Sequence, residues 1–130
     1  RVCCALNSLL PVGGDDLGPS PYDYLSIALG ACKSMTLRMY SRLKGLELGR
    51  ISVEVSHGKV PAEHCEDCGE VAEGRSGRID RFECLITVEG PVAPELRDKL
   101  VEIAGKCPVH RTLQEKAAIV TRVETGETGG

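Results

Sequence analysis

The stretch GPSPYDYLSIALGACKSMTLRMYSRLKG, residues 18–45, decides the fold, because it reads as one long helix with both ends marked. Ser20 is placed as N-cap, Pro21 suits the first helical position, where its missing N–H leaves no bond unmade, and Asp23 completes a Ser-x-x-Asp capping box. Leu25, Ala28, Leu29, Cys32, Met35, Met39 and Leu43 recur at spacings of three and four, which predicts one buried apolar stripe with Cys32 on it. Lys33, Arg38, Arg42 and Lys44 fall outside that stripe, and Gly45 is placed to end the helix. By pattern alone, a thiol in such a stripe is more often packing than chemistry, since free cysteine behaves as a small hydrophobe.

Working outward, the Gly, Asp and Pro cluster VGGDDLGPSP before the helix is a loop, and the dozen residues before that carry no clear period. After the helix, RISVEVSHGK alternates, with Ile51, Val53, Val55 and His57 on one face, as in a half-buried strand. VPAEHCEDCGEVAEGRSG has no period and reads as a loop or long hairpin connection. RIDRFECLITVEG resumes the alternation through Phe82, Cys84, Ile86 and Val88 until Gly90 and Pro91. Pro94 opens a second helix with Leu96, Leu100, Ile103, Ala104 and Cys107 along one face, and Pro108 breaks its register. VHRTLQ is a turn or short helix, AAIVTRV is predicted as a last strand, and residues 124–130 form a polar, mobile tail. The order predicts an α+β domain, helices against an antiparallel sheet.

With 130 residues, 42% of them apolar, residues 1–130 are expected to form a single domain. Sixteen Lys and Arg against nineteen Asp and Glu give a net charge of −3 without a basic run, which argues against a nucleic-acid partner. One Phe, three Tyr and no Trp leave no stacking platform for bases. No apolar run approaches the roughly 18 residues of a membrane span, and no secretory signal is visible, so a cytoplasmic protein without a membrane partner is expected. The chain opens on Arg1, and residues 1–12 read as a segment whose natural start is missing or processed.

Seven cysteines without an export signal point to reduced, metal-binding or catalytic thiols rather than a disulfide framework. Cys84 alternates with Phe82 and Ile86 and reads as core; Cys3 and Cys4 stay unassigned. Cys107, in KCPVH, sits at a helix break with Lys106, His110 and Arg111 nearby, an arrangement that suits an exposed thiol of lowered pKa. Spacing alone does not show that Cys32 and Cys107 meet. HCEDC offers Cys65 and Cys68 with His64 adjacent and His57 on the preceding strand, a weak zinc set that lacks a second Cys-x-x-Cys or a spaced His pair. As a redox pair it is flanked by Glu63, Glu66, Asp67 and Glu70, whose charge disfavours a thiolate, so inert, metal and redox readings stay open.

Taken together, GGDDLGPSPYDYLSIALGACKSMTLRMYSRLKG, VEVSH, IDRFECLITVEG and IAGKCPVHRTL resemble the OsmC/Ohr family, the osmotically inducible and organic hydroperoxide resistance proteins, and more closely its OsmC-like branch. The resemblance runs from about Gly13 to Val123. It implies an OsmC-like fold, an intertwined homodimer built around the cysteine-bearing helices, and thiol-dependent reduction of organic hydroperoxides in oxidative-stress defence. Carried over by motif, Cys32 is the peroxidatic thiol and Cys107 the resolving thiol. A dithiol or lipoyl-type reductant regenerates the pair, and no metal or other cofactor is required. Tyr22, Asp23, Leu29, Met35 and Met39 are the implied substrate-pocket residues. Family members activate the thiol with an N-terminal arginine held by a glutamate. Here Tyr22 stands at the glutamate's place with Asp23 one residue on, and Arg1, Arg38 and Arg111 are the available cations. The alternative on the same fold is a redox relay or a zinc protein with little peroxidase activity.

Overall fold

The structure is a computed structural model that describes residues 18–115 and 117–126. Helix α1, Pro21–Leu43, begins as its sequence dictates: Asp23 N donates to Ser20 Oγ at 3.1 Å and Ser20 N donates to Asp23 Oδ2 at 2.9 Å, closing the capping box. It ends where Gly45 takes φ of +65°, a left-handed conformation that a Cβ would strain. Strands β1, Ile51–Pro61, and β2, Arg78–Val88, pair antiparallel from Ile51 opposite Val88 to Pro61 opposite Arg78. That register sets Ile51, Val53, Val55 and His57 opposite Val88, Ile86, Cys84 and Phe82, so the two alternating patterns share one face. The connection between the strands carries short 3-10 turns at Ala62–His64 and Gly69–Val71, and a Cys65–Cys68 disulfide.

Helix α2, Pro94–Ala104, and helix α3, Pro108–Gln114, follow. The register break expected at Pro108 is therefore a change of helix, with Cys107 as N-cap of α3. The core centres on Leu37, Leu100 and Ala104, with Tyr40, Ile51, Ile86 and Leu96 packed around it. Gly30 lets α1 sit close to β1: a Cβ there would lie 3.3 Å from Val55 Cγ2.

Two expectations are corrected. The face of α1 that is buried runs through Leu29, Gly30, Lys33, Leu37 and Ser41, whereas Leu25, Met35, Met39 and Leu43 of the expected stripe are exposed. Both rows satisfy helical spacing, and a reading that counts hydrophobes selects the more apolar one. The buried row keeps its polar members by bonding them, Ser41 Oγ to Leu46 O and Lys33 Nζ to Ala104 O. The final strand does not form: residues 117–125 lie in no regular element, with Ile119, Val120 and Val123 exposed. Strand composition alone does not make a ladder, and residues 117–125 pair with neither edge of the β1–β2 sheet. The expectations on residues 1–12, with Cys3 and Cys4, fall outside the described residues, as do residues 127–130 of the tail.

Candidate functional site

Helix α1 presents Cys32 half-buried, and its carbonyl accepts from Thr36 Oγ1 at 2.8 Å. The break between α2 and α3 turns Cys107 inward, where it is 0% exposed. Its Sγ accepts the His110 N–H at 3.2 Å, the bond that caps α3. Lys33, next to Cys32 on α1, bonds His110, and the His110 N–H bonds Cys107 Sγ, so Cys32 and Cys107, 75 positions apart in sequence, flank the same α1–α3 contact. Cys107 was expected to be exposed. Burial instead pushes its thiol pKa up, an effect opposed by the His110 N–H, reinforced by Cys32 and opposed again by Lys33.

Lys33 is the cation of this site, and the sequence reading placed it on the solvent side. It is 4% exposed, and Nζ donates to Ala104 O at 2.9 Å and to His110 Nδ1 at 2.8 Å. Ala104 is the last residue of α2, where unpaired carbonyls and the negative end of the helix dipole favour a positive charge. An ammonium has no acceptor, so His110 must receive at Nδ1 and is the neutral tautomer with its proton on Nε2. Burial and then the Lys33 charge hold the His110 pKa below its ordinary value, with a Gln114 hydrogen bond opposing them. Cys84, on β2, also feels Lys33: burial raises its thiol pKa and the ammonium lowers it. The signal for Lys33 lay in its spacing, four residues from Leu29 and four from Leu37 on the buried row.

The other expected residues disperse. Tyr22 stacks on His57, centroids 4.1 Å apart and planes 3° from parallel, and His57 Nε2 bonds Asp80 Oδ1 at 2.9 Å. Asp23 serves the cap of α1, and Met35 and Met39 are exposed on it. Leu29 alone of the expected pocket residues lines a cleft of about 570 Å³ with Lys33, Cys84, His110, Phe82 and Cys68. Arg38 donates to Leu48 O and Gly49 O, holding the turn after α1, and Arg111 is exposed. The possible metal ligands that come together among the described residues are Cys65, Asp67 and Cys68, without His57 or His64. The two sulfurs are bonded to each other and Asp67 is bonded by Arg81, from Nη2 at 2.7 Å and Nε at 3.3 Å, so the set is committed elsewhere.

No helix among the described residues is long and apolar enough to cross a membrane. No curated protein gives a significant match to the sequence. Among solved structures, a Psychrobacter arcticus protein described as an osmotic stress induced and detoxification response protein superposes with TM-score 0.60 at 17% identity, over 80% of this chain and 66% of that one. An organic hydroperoxide resistance protein OsmC from Legionella pneumophila gives 0.59 at 14% identity, over 82% and 69%. An organic hydroperoxide resistance protein of Vibrio cholerae, with captopril in one of its active sites, gives 0.53 at 18% identity, over 81% and 65%. At these identities the likeness establishes an α+β fold of the OsmC/Ohr kind, and the chain spans about two thirds of the length of each of these proteins. The family model for OsmC-like protein matches residues 13–122, a span that takes in both cysteine motifs, and the chain belongs to that family.

Proposed function

We infer that the protein is a thiol-dependent peroxidase that reduces organic hydroperoxides in oxidative-stress defence. The observation that carries this reading is that Cys32 and Cys107 flank one α1–α3 contact at a buried lysine, Lys33, which bonds His110 beside Cys107. Cys32, the more accessible thiol, attacks the distal peroxide oxygen as thiolate; the S–O bond forms, the O–O bond breaks and the alcohol leaves. Cys107 then attacks the Cys32 sulfenic sulfur, water leaves and a disulfide closes. An external dithiol, of lipoyl or similar type, returns two electrons by exchange. No metal or bound cofactor takes part. Lys33 acts on the resolving thiol rather than standing in for the family's arginine at the peroxidatic one: its ammonium offsets the cost of forming a thiolate at the buried Cys107.

The acting unit is a homodimer in a reducing, cytoplasmic setting. Support for the dimer is the apolar face of α1, where Met35, Met39 and Leu43 are 66%, 69% and 82% exposed, more than a lone soluble chain usually leaves open.

Steady-state reduction of cumene hydroperoxide with dihydrolipoamide tests the chemistry. Turnover by the wild type, abolished in Cys32→Ser and strongly reduced in Cys107→Ser, is the expected result. A wild-type rate no faster than the free dithiol rejects the peroxidase.

A further inference from the structure

The peroxidase reading leaves Cys65 and Cys68 unused, although they are the cysteines already bonded to each other. Both are half-buried in the connection between β1 and β2, and Cys68 lines the cleft that Lys33, Cys84 and His110 also line. Their acidic surroundings looked unfavourable in sequence. In the fold, Asp67, whose Oδ1 lies 3.3 Å from Cys65 Sγ, is paired with the Arg81 guanidinium, which also pairs with Glu83, so Arg81 offsets part of the negative charge at this loop. Glu63, Glu66 and Glu70 are exposed to solvent, where their charges are screened.

As a staple the disulfide does little. It closes a ring of four residues, the kind of loop whose closure removes least chain entropy. The connection is held independently by Arg81 on Asp67 and by Ala62 N donating to Gly77 O at 2.9 Å. In the reducing setting of the proposed function, on which this one step rests, a disulfide is usually transient and either catalytic or redox-sensing.

We propose that Cys65–Cys68 is a second redox site, a thiol–disulfide exchange centre for small dithiols admitted by the cleft. A dithiol thiolate attacks Cys68 Sγ from the cleft side, the Cys65–Cys68 bond breaks, and Cys65 departs with the electron pair as a thiolate beside Asp67, whose charge the Arg81 guanidinium partly offsets. The second thiolate of the small molecule attacks its own sulfur in the mixed disulfide and releases Cys68. The small molecule leaves as its cyclic disulfide, two electrons stay on the pair, and the two cysteine thiolates take protons from solvent. A cleft of about 570 Å³ is of small-molecule size. This exchange does not use Cys32 or Cys107, so it stands or falls apart from the peroxidase.

The test mixes the full chain, as wild type and as Cys32→Ser/Cys107→Ser, with dihydrolipoamide. Samples are quenched with N-ethylmaleimide and the Cys65–Cys68 state is read by mass spectrometry. A synthetic peptide of residues 62–72, oxidised to the same disulfide, is the control. Expected is reduction at least about tenfold faster than in the peptide, reversed by lipoamide, and slowed several-fold by Arg81→Met while the fold is retained by circular dichroism. Reduction no faster than in the peptide, reduction only on unfolding, or a reduced pair isolated with bound zinc each overturns the proposal. Fast exchange in a protein that turns over no peroxide supports it and rejects only the peroxidase.

Discussion

Lys33 shows how one side chain links burial, charge and reactivity. Its ammonium is buried on the Ala104 carbonyl and the His110 ring, and the thiol pair is next to it. Lys33→Met keeps the length and removes the charge. Cys107 should then titrate higher still, and closure of the disulfide should slow by about tenfold or more. The readouts are a 13Cβ-cysteine NMR titration and dimedone trapping of the Cys32 sulfenic acid, which should accumulate in the variant; Lys33→Arg should recover most of the loss. An unchanged titration would remove Lys33 from the chemistry. His110 adds a pH signature. Its folded pKa lies below the unfolded value, so between the two the unfolded chain binds more protons and stability rises with pH. The contribution is fully present above pH ~6.5 and is lost as pH falls through the folded value. Urea midpoints should drop from pH 7 to pH 5 in the wild type, and drop less in His110→Gln. The sequence showed that Cys32 and Cys107 were special through their motifs. It hid Lys33, because a lysine in an amphipathic helix is assigned to solvent unless the carbonyl that receives it, 71 residues away, is known.

At the scale of elements, local chemistry made α1 and the hairpin readable. Ser20, Pro21, Asp23 and Gly45 act within a few residues of where they sit, so their meaning survives without tertiary knowledge. Ser20→Ala should cost about 1 kcal/mol by removing the acceptor for Asp23 N. Leu37, 0% exposed on the buried row, should cost about 2–5 kcal/mol when cut to alanine, whereas Met39→Ala on the exposed row should cost the isolated chain little. Comparing denaturation midpoints of the two, at protein concentrations low enough to favour monomer, checks which row faces the core. The last strand was not readable in the same way. AAIVTRV has the composition of a strand, but a ladder is a property of two segments, and nothing in the heptapeptide names its partner.

Among the described residues, the fully buried apolar core centres on Leu37, Leu100 and Ala104, while Met35, Met39, Leu43, Ile119, Val120 and Val123 face outward. A chain with this division should gain much of its stability from a second copy, so its unfolding midpoint should rise with protein concentration. Light scattering coupled to size exclusion should give twice the chain mass, and Met39→Glu should shift it toward monomer. A concentration-independent midpoint with monomer mass would reject the dimer.

The Cys107 sulfur that the proposed reaction uses is also the atom that holds the first turn of α3 through the His110 amide. A thiolate accepts that N–H well and a thiol weakly, whereas a sulfur drawn into a disulfide loses the charge and is pulled toward Cys32. The oxidation state of the pair is therefore written into the helix: α3 should hold its first turn in the reduced protein and fray in the oxidised one. Hydrogen exchange at a single amide, His110, would then act as a clock for the catalytic cycle.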